Sequence, residues 1–432
     1  MRILLLTTQY HPAANPNVFR WAAIAGHWVA AGHEVHLLCS EHSQRPNEET
    51  IQGVQVHRAG QATLMDWAYN LLKTKYRRSE PGTGAGRAGW GRSVLETLLN
   101  LTWRKLYWPD GSCLWYLPAR RRAMQLLQQH DFEALISVGT PFTCHWVARA
   151  CKKRFPKLRW LMDIEDPFSI AEEFPNNNFA LYRRRNHRAE ALVFRSADAV
   201  AVTNPAVLRR YVAVFQEDAH KMRVIPPLYD PAVPSDYSLP PRLPGEIRLG
   251  YFGSFYHKIR TPQRFLEMLE IAVGQSGGAL SQSLSVHFFG YLEPEFTAMF
   301  ERFHSLSPHI RLHGLLSRED AAAAMQQMDA LLHIGNSTDY HLPSKAPEYL
   351  FSGLPVVNVA ACVSDTFKEF AGVRAALLHI PPDVELSEAV SRLSGFLLHL
   401  PKGDPPGDEE VESVGVAALA GRYEALISGR KK

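Results

Sequence analysis

Residues 2–39 read RILLLTTQYHPAANPNVFRWAAIAGHWVAAGHEVHLLC. The apolar run over 2–8 is continuous rather than alternating, as a strand covered on both faces requires. Residues 18–31 repeat apolar side chains at helical spacing, and Gly32 then leads into a second apolar run over 35–39. Strand, helix and strand in that order form a β-α-β unit, whose two strands lie parallel. Downstream the alternation continues as helix 118–129, strand 134–138, helix 143–154 and strands 159–163 and 198–202. A doubly wound, Rossmann-like domain is predicted over 1–228.

From 225 to 247 prolines crowd the chain, among them Pro226, Pro227, Pro231, Pro234, Pro240, Pro241 and Pro244. Proline lacks a backbone donor and fixes φ, so neither a helix nor a central strand runs through it. A linker is expected at 229–246. Beyond it the alternation restarts with strands 247–252, 284–289, 309–312, 330–334 and 355–359 and helices 262–274, 293–304 and 318–328. These predict a second Rossmann-like domain over 247–410, followed by a C-terminal helix over 411–432 packing back on the first. The predicted class is α/β, with two doubly wound domains facing a central cleft.

A chain of 432 residues, 46% hydrophobic and 21% charged, suits two ordinary cores better than one. Its formal charge of +4 is too weak to argue for nucleic acid. The cysteines, Cys39, Cys113, Cys144, Cys151 and Cys362, show no CxxC spacing. That speaks against a disulfide framework or a cysteine zinc site, and for a reducing cytoplasm. Gln9, His11 and Pro12 end the first apolar run before signal-peptide length, and no uncharged apolar run reaches about 18 residues. Membrane contact, at the inner face of the plasma membrane, is therefore expected to be peripheral.

Residues 61–117 interrupt the first domain and combine Trp67, Trp90, Trp103 and Trp108 with Lys73, Lys75, Arg77, Arg78, Arg104 and Lys105. The mixture suits either a lipid interface or a helical hairpin capping the acceptor side of the cleft. Within it, Gly84, Gly86 and Gly89 match the dinucleotide fingerprint in letters only, because no strand precedes them, and the loop reads as a flexible linker.

In open α/β sheets ligands bind beyond the carboxyl ends of the strands. Four such places carry polar chemistry. Gly253 and Ser254, with Lys258 and Arg260 following, offer amides and positive charge to a diphosphate. Ser344, Lys345 and Glu348 combine phosphate and ribose chemistry. Gly314 and Leu315 form a turn whose main chain suits a nucleobase edge. Asp163, Glu165 and Asp166 gather acid at the end of strand 159–163, where carboxylates hold acceptor hydroxyls or a reacting proton. His145 and Arg20 are secondary candidates on the acceptor side. A magnesium site is not expected, since no second acidic cluster complements the first.

Several of these segments together are similar to one known family. They are Leu4 to Tyr10 with Gly32-His33-Glu34-Val35, Trp108-Pro109-Asp110, Thr140-Pro141-Phe142, Asp163 to Phe168, and Val224-Ile225-Pro226 with Asp230. The second half adds Gly250 to Gly253 with Arg260, Gly314, and Pro343-Ser344-Lys345 with Glu348-Tyr349. The sequence resembles the retaining GT-B glycosyltransferases of the family 4 type over nearly its whole length. It departs from them at Tyr340, where the family has a glutamate, and at Ala13 to Asn17, where the family has a glycine-rich loop.

The resemblance implies transfer of a sugar from a nucleoside-diphosphate sugar to a glycan or lipid-linked acceptor, with retention and without a metal or other cofactor. It places Lys258 or Arg260 on the donor diphosphate and Glu348 on the ribose. Two rivals share the fold: a nucleotide-sugar epimerase, and a non-catalytic scaffold that kept the architecture.

Overall fold

The computed structural model describes residues 1–13, 15–63, 102–231, 234–256, 260–338, 340, 345–360 and 376–429. Most of the expected insertion, with its glycine loop at 84–89, lies outside the described residues, as do Lys258, Asp339 and Ser344. The chain forms two compact units, Met1–Pro226 together with Leu419–Lys432, and Pro227–Ala418.

In the first unit the strands are β1 (Arg2–Leu6), β2 (Glu34–Cys39), β3 (Glu48–Ile51), β4 (Val54–Arg58), β5 (Ala134–Gly139), β6 (Arg159–Ile164), β7 (Ala199–Val202) and β8 (Met222–Val224). They form one sheet in the order β3-β4-β2-β1-β5-β6-β7-β8. Every neighbouring pair is parallel except the edge hairpin β3–β4. The sequence reading did not foresee that hairpin. It also carried the first strand two residues too far: Thr7 turns its hydroxyl onto the Gln9 carbonyl at 3.3 Å, and β1 stops at Leu6.

The helices are α1 (Pro16–Ala30), α2 (Trp103–Leu106), α3 (Tyr116–Gln129), α4 (Thr143–Arg154), α5 (Phe179–Ser196) and α6 (Pro205–Val214). Helix α1 starts where Asn15 accepts from the Val18 amide at 3.0 Å and Pro16 supplies a pre-set φ. It buries Trp21, Ile24, Ala25 and Trp28 along one stripe. From β1 the chain order runs to β2 on one side and β5 on the other, so the crevice for ligands lies past the ends of β1 and β5.

Among the described residues the second unit has six strands, β9 (Ile247–Phe252), β10 (Leu284–Phe289), β11 (Ile310–Gly314), β12 (Ala330–Ile334), β13 (Val356–Val359) and β14 (Leu377–Ile380), all parallel. Their order β11-β10-β9-β12-β13-β14 puts its switch point between β9 and β12. Helices α7 (Gln263–Gln275), α8 (Ala279–Ser283), α9 (Pro294–Arg302), α10 (Arg318–Met325), α11 (Ala346–Phe351), α12 (Leu386–Leu398) and α13 (Asp408–Ser413) complete it. Leu249, Val286, Leu332, Phe265, Leu269 and Leu393 are fully buried in its core. Full burial of each contributes about 1.5–3 kcal/mol.

The last helix, α14 (Val416–Ser428), is separate from α13, the break falling at Val414 and Gly415. Among the described residues no helix is long and apolar enough to cross a membrane.

Candidate functional site

At the carboxyl ends of neighbouring strands of the second unit, three glycines stand side by side. The Gly253 amide donates to the Phe289 carbonyl at 2.9 Å, and the Gly290 amide to the Gly314 carbonyl at 2.8 Å, so Gly253, Gly290 and Gly314 form a row across β9, β10 and β11. A Cβ on Gly290, whose φ is +145°, would lie 2.1 Å from the Gly253 carbonyl oxygen. Glycine is therefore obligatory there, and the row leaves backbone open to a close-approaching ligand. The sequence reading missed Gly290, although its place directly after an apolar strand is the same signal that marks Gly253. Beside the row Leu315 is 77% exposed, an apolar surface available to a planar base.

Tyr256 and Arg260 pair backbone to backbone, each amide donating to the other's carbonyl at 2.8 Å, and this tight return aims Arg260 back at the strand ends. The guanidinium donates from Nε and Nη2 to Asn336 Oδ1, at 3.0 and 2.8 Å, and from Nη1 to the Ser254 carbonyl at 3.4 Å. Both partners are neutral oxygens, and no carboxylate among the described residues pairs with it. A half-buried cation held in place without a counter-charge is an anion-binding group. Asn336, just past β12 and buried, is a positioning residue the sequence reading also missed.

The Tyr349 hydroxyl accepts from the Phe252 amide at 2.7 Å, fastening α11 to the end of β9. Burial pushes that hydroxyl far above its ordinary pKa, with Arg260 and Glu348 both within electrostatic reach. Lys345 meets Glu348 Oε1 at 3.3 Å, while Glu348 Oε2 is buried without a hydrogen-bond partner among the described residues. A buried orphan carboxylate oxygen costs about 1–3 kcal/mol unless donors reach it. Tyr340, in place of the family's glutamate, is buried at 1% exposure.

In the first unit Arg20 and Asp163 are buried and 4.0 Å apart. Tyr423 of α14 joins them, accepting from Arg20 Nη2 and donating to Asp163 Oδ1 at 2.7 Å. Glu165, next along, has its carboxyl pushed up to about 8, first by burial and then by Asp166, with Arg20 opposing. Asp166 is exposed and accepts from the Thr140 hydroxyl at 3.3 Å. A carboxyl that burial keeps protonated at neutral pH, beside an exposed second one, is equipped for proton handling.

His145 lines a small cavity together with Thr140 and Asp166. Its Nδ1 meets Ser137 Oγ at 2.8 Å, its ring packs on Gly139, and burial holds it down at about 3. Asp110 likewise serves structure, accepting from the Thr143 amide and hydroxyl at 2.8 Å each to start α4. Between α3 and α4 runs a groove of about 850 Å³ lined by Trp108, Met124, Trp146, Arg120, Arg149 and Lys153 among others. The reading of the sequence did not single out its cations.

Residues 19–227, just under half of the chain, match the family model of the Glycosyl transferase 4-like domain. A comparison with curated proteins finds no match. Among solved structures, the chain is similar to sucrose-phosphate synthase from Thermosynechococcus elongatus at TM-score 0.61 and 14% identity, covering 99% of this chain and 98% of that one. It is similar to HepE of Anabaena in complex with UDP-glucose at TM-score 0.54 and 13% identity, covering 99% and 100%. A protein of Listeria monocytogenes assigned as a UDP-N-acetylglucosamine 2-epimerase aligns at TM-score 0.50 and 12% identity, covering 99% and 96%. At such identities the likeness shows the fold alone: two parallel-sheet, Rossmann-like domains of the GT-B class.

Proposed function

We propose that the chain is a glycosyltransferase. In this reading it moves a sugar from a nucleoside-diphosphate sugar to a glycan or lipid-linked acceptor, with retention and without a metal, in cell-surface polysaccharide or glycoconjugate synthesis at the inner membrane face. The observations that carry the reading are an Arg260 guanidinium held on neutral oxygens and, on α11, a buried Glu348 oxygen without a hydrogen-bond partner among the described residues. A nucleoside diphosphate supplies what both groups want: phosphate oxygens for the first and ribose hydroxyls for the second.

Bond cleavage at the anomeric carbon places the leaving electron pair on the diphosphate. Arg260, joined by Lys258, meets that growing charge, and Asn336 keeps the guanidinium from having to reorient. The glycine row lets phosphate approach the backbone. On the acceptor side, Asp166 receives the hydroxyl of the incoming sugar or lipid while Glu165 keeps its proton. The cations and tryptophans of the α3–α4 groove favour an acceptor carrying an anionic lipid.

Thermal shift against nucleoside diphosphates tests the donor half, since a ligand of the native state alone raises Tm. Arg260→Ala is expected to abolish that shift and lower kcat by about 10²–10³, with an unchanged melt of the free protein. An unaltered shift in the variant would refute the assignment. The Listeria neighbour makes the donor-alone incubation informative as well: a new sugar nucleotide formed without acceptor would replace transfer with epimerisation.

A further inference from the structure

At the edge of the first unit's sheet where the strands begin, remote in the fold from the strand ends above, three side chains with metal-ligand chemistry converge. Glu34 and His36 are two residues apart on β2, so the pleat sets both on one face. His130 follows α3 directly, and its ring centroid lies 4.9 Å from that of His36. One ligand atom from each of Glu34, His36 and His130 falls within 4.8 Å of the other two. From this geometry we infer a binding site for one divalent transition-metal ion, with zinc as the physiological choice, held by these three residues and a water.

The groups behind His36 support the site independently. His36 Nδ1 and His57 Nε2 are 2.9 Å apart, and His57 Nδ1 meets the Glu48 carboxylate, which Arg122 also contacts. On the other side His36 Nε2 stands 2.9 Å from Glu34 Oε1. The chain of contacts leaves His36 with a partner behind Nδ1 and its Nε2 turned to the Glu34 carboxylate, the side on which His130 also stands. With a cation at Nε2, His36 donates from Nδ1 to His57, and His57 from Nδ1 to Glu48. Zinc-binding histidines are commonly oriented by such backing through the second ring nitrogen.

The ring nitrogens of His130 make no hydrogen bond to any described residue, so its ligand atom is uncommitted. Arg2 opposes the cation but occupies only Glu34 Oε2, at 2.7 Å, leaving Oε1. In a tetrahedral zinc site with bonds of about 2.0–2.1 Å, ligand atoms stand about 3.3 Å apart, so closure takes side-chain shifts of roughly 1–2 Å. Two imidazoles and one carboxylate suit zinc and its neighbours, and offer too few oxygens for calcium or magnesium. The ion would tie β2 to the turn between α3 and β5, acting on stability and not on the reacting groups.

The test uses the full chain without an affinity tag, stripped with a chelator and titrated with zinc chloride by calorimetry, with thermal melts in parallel. One zinc per chain and a higher Tm in its presence are expected. His130→Ala should bind at least tenfold more weakly. Glu48→Ala, which touches no metal and removes the backing together with the Arg122 ion pair, should weaken binding by about tenfold. Both variants should melt near the wild-type temperature in chelator, showing that they fold. No zinc per chain, or a His130→Ala titration matching the wild type, would overturn the site.

Discussion

Glu165 is a carboxyl whose chemistry departs far from its type. Its carboxyl is raised from 4.5 to about 8, chiefly by burial, so the folded state keeps a proton that the unfolded chain gives up above pH 4.5. Unfolding therefore releases a proton between about pH 4.5 and 8, and the stability this group contributes is whole below that window and lost as pH rises through it. Melting temperatures of Glu165→Gln against wild type across pH 4 to 9 check this. The variant should show a flatter profile, with its advantage growing toward pH 8 and above, and parallel profiles would assign the shifted carboxyl elsewhere. The acidic cluster was legible in the sequence because it follows a strand. Which carboxyl keeps the proton was not, since that depends on Arg20, one helix away, and on burial that only the packed fold sets.

At the level of elements, the apolar strands were the most legible. Strands 247–252, 284–289 and 330–334 and helix 143–154 were read to the residue, because buried parallel strands are continuous apolar runs and α4 repeats its small and apolar residues on one face. The edge hairpin β3–β4 was missed: β3 reads Glu-Glu-Thr-Ile with exposed and half-buried residues alternating, and an edge strand needs little apolar content. Helix α5 was missed for another reason. Its buried face includes Asn186 and Glu190, which bond Trp108 and Tyr211, so periodicity in apolar residues is broken at core positions. The glycine row is an element-level feature in the same sense, since Gly290 matters only once β9 and β10 lie side by side. Gly290→Ala should force those strand ends apart at a cost of about 1–3 kcal/mol and weaken diphosphate binding with it. Denaturant melts with and without a nucleoside diphosphate give both numbers, and a variant with wild-type stability would show that the ends yield freely.

Over the whole molecule, the chain's last turns are spent on the unit that its first residues begin. Tyr423 lies 403 residues from Arg20 and 260 from Asp163, and its hydroxyl is the bridge between two buried charges that stand 4.0 Å apart. No local pattern encodes such a contact, because each partner reads as an unremarkable member of its own helix or strand. The ring also packs on Trp21, with centroids 5.0 Å apart, so Tyr423→Phe keeps the apolar contact and deletes only the hydroxyl. Arg20 then loses an acceptor and Asp163 a donor, and the carboxyl, already raised by burial, is left with Arg20 as its main stabilising partner. The expected loss is about 2–4 kcal/mol of first-unit stability. Tyr423→Ala should cost more, by the cavity beside Trp21 and Trp28. Calorimetric melts of the two variants separate the hydroxyl from the ring. If Tyr423→Phe melts with the wild type while Tyr423→Ala does not, the end of the chain is held by packing alone, and the buried charges need no bridge.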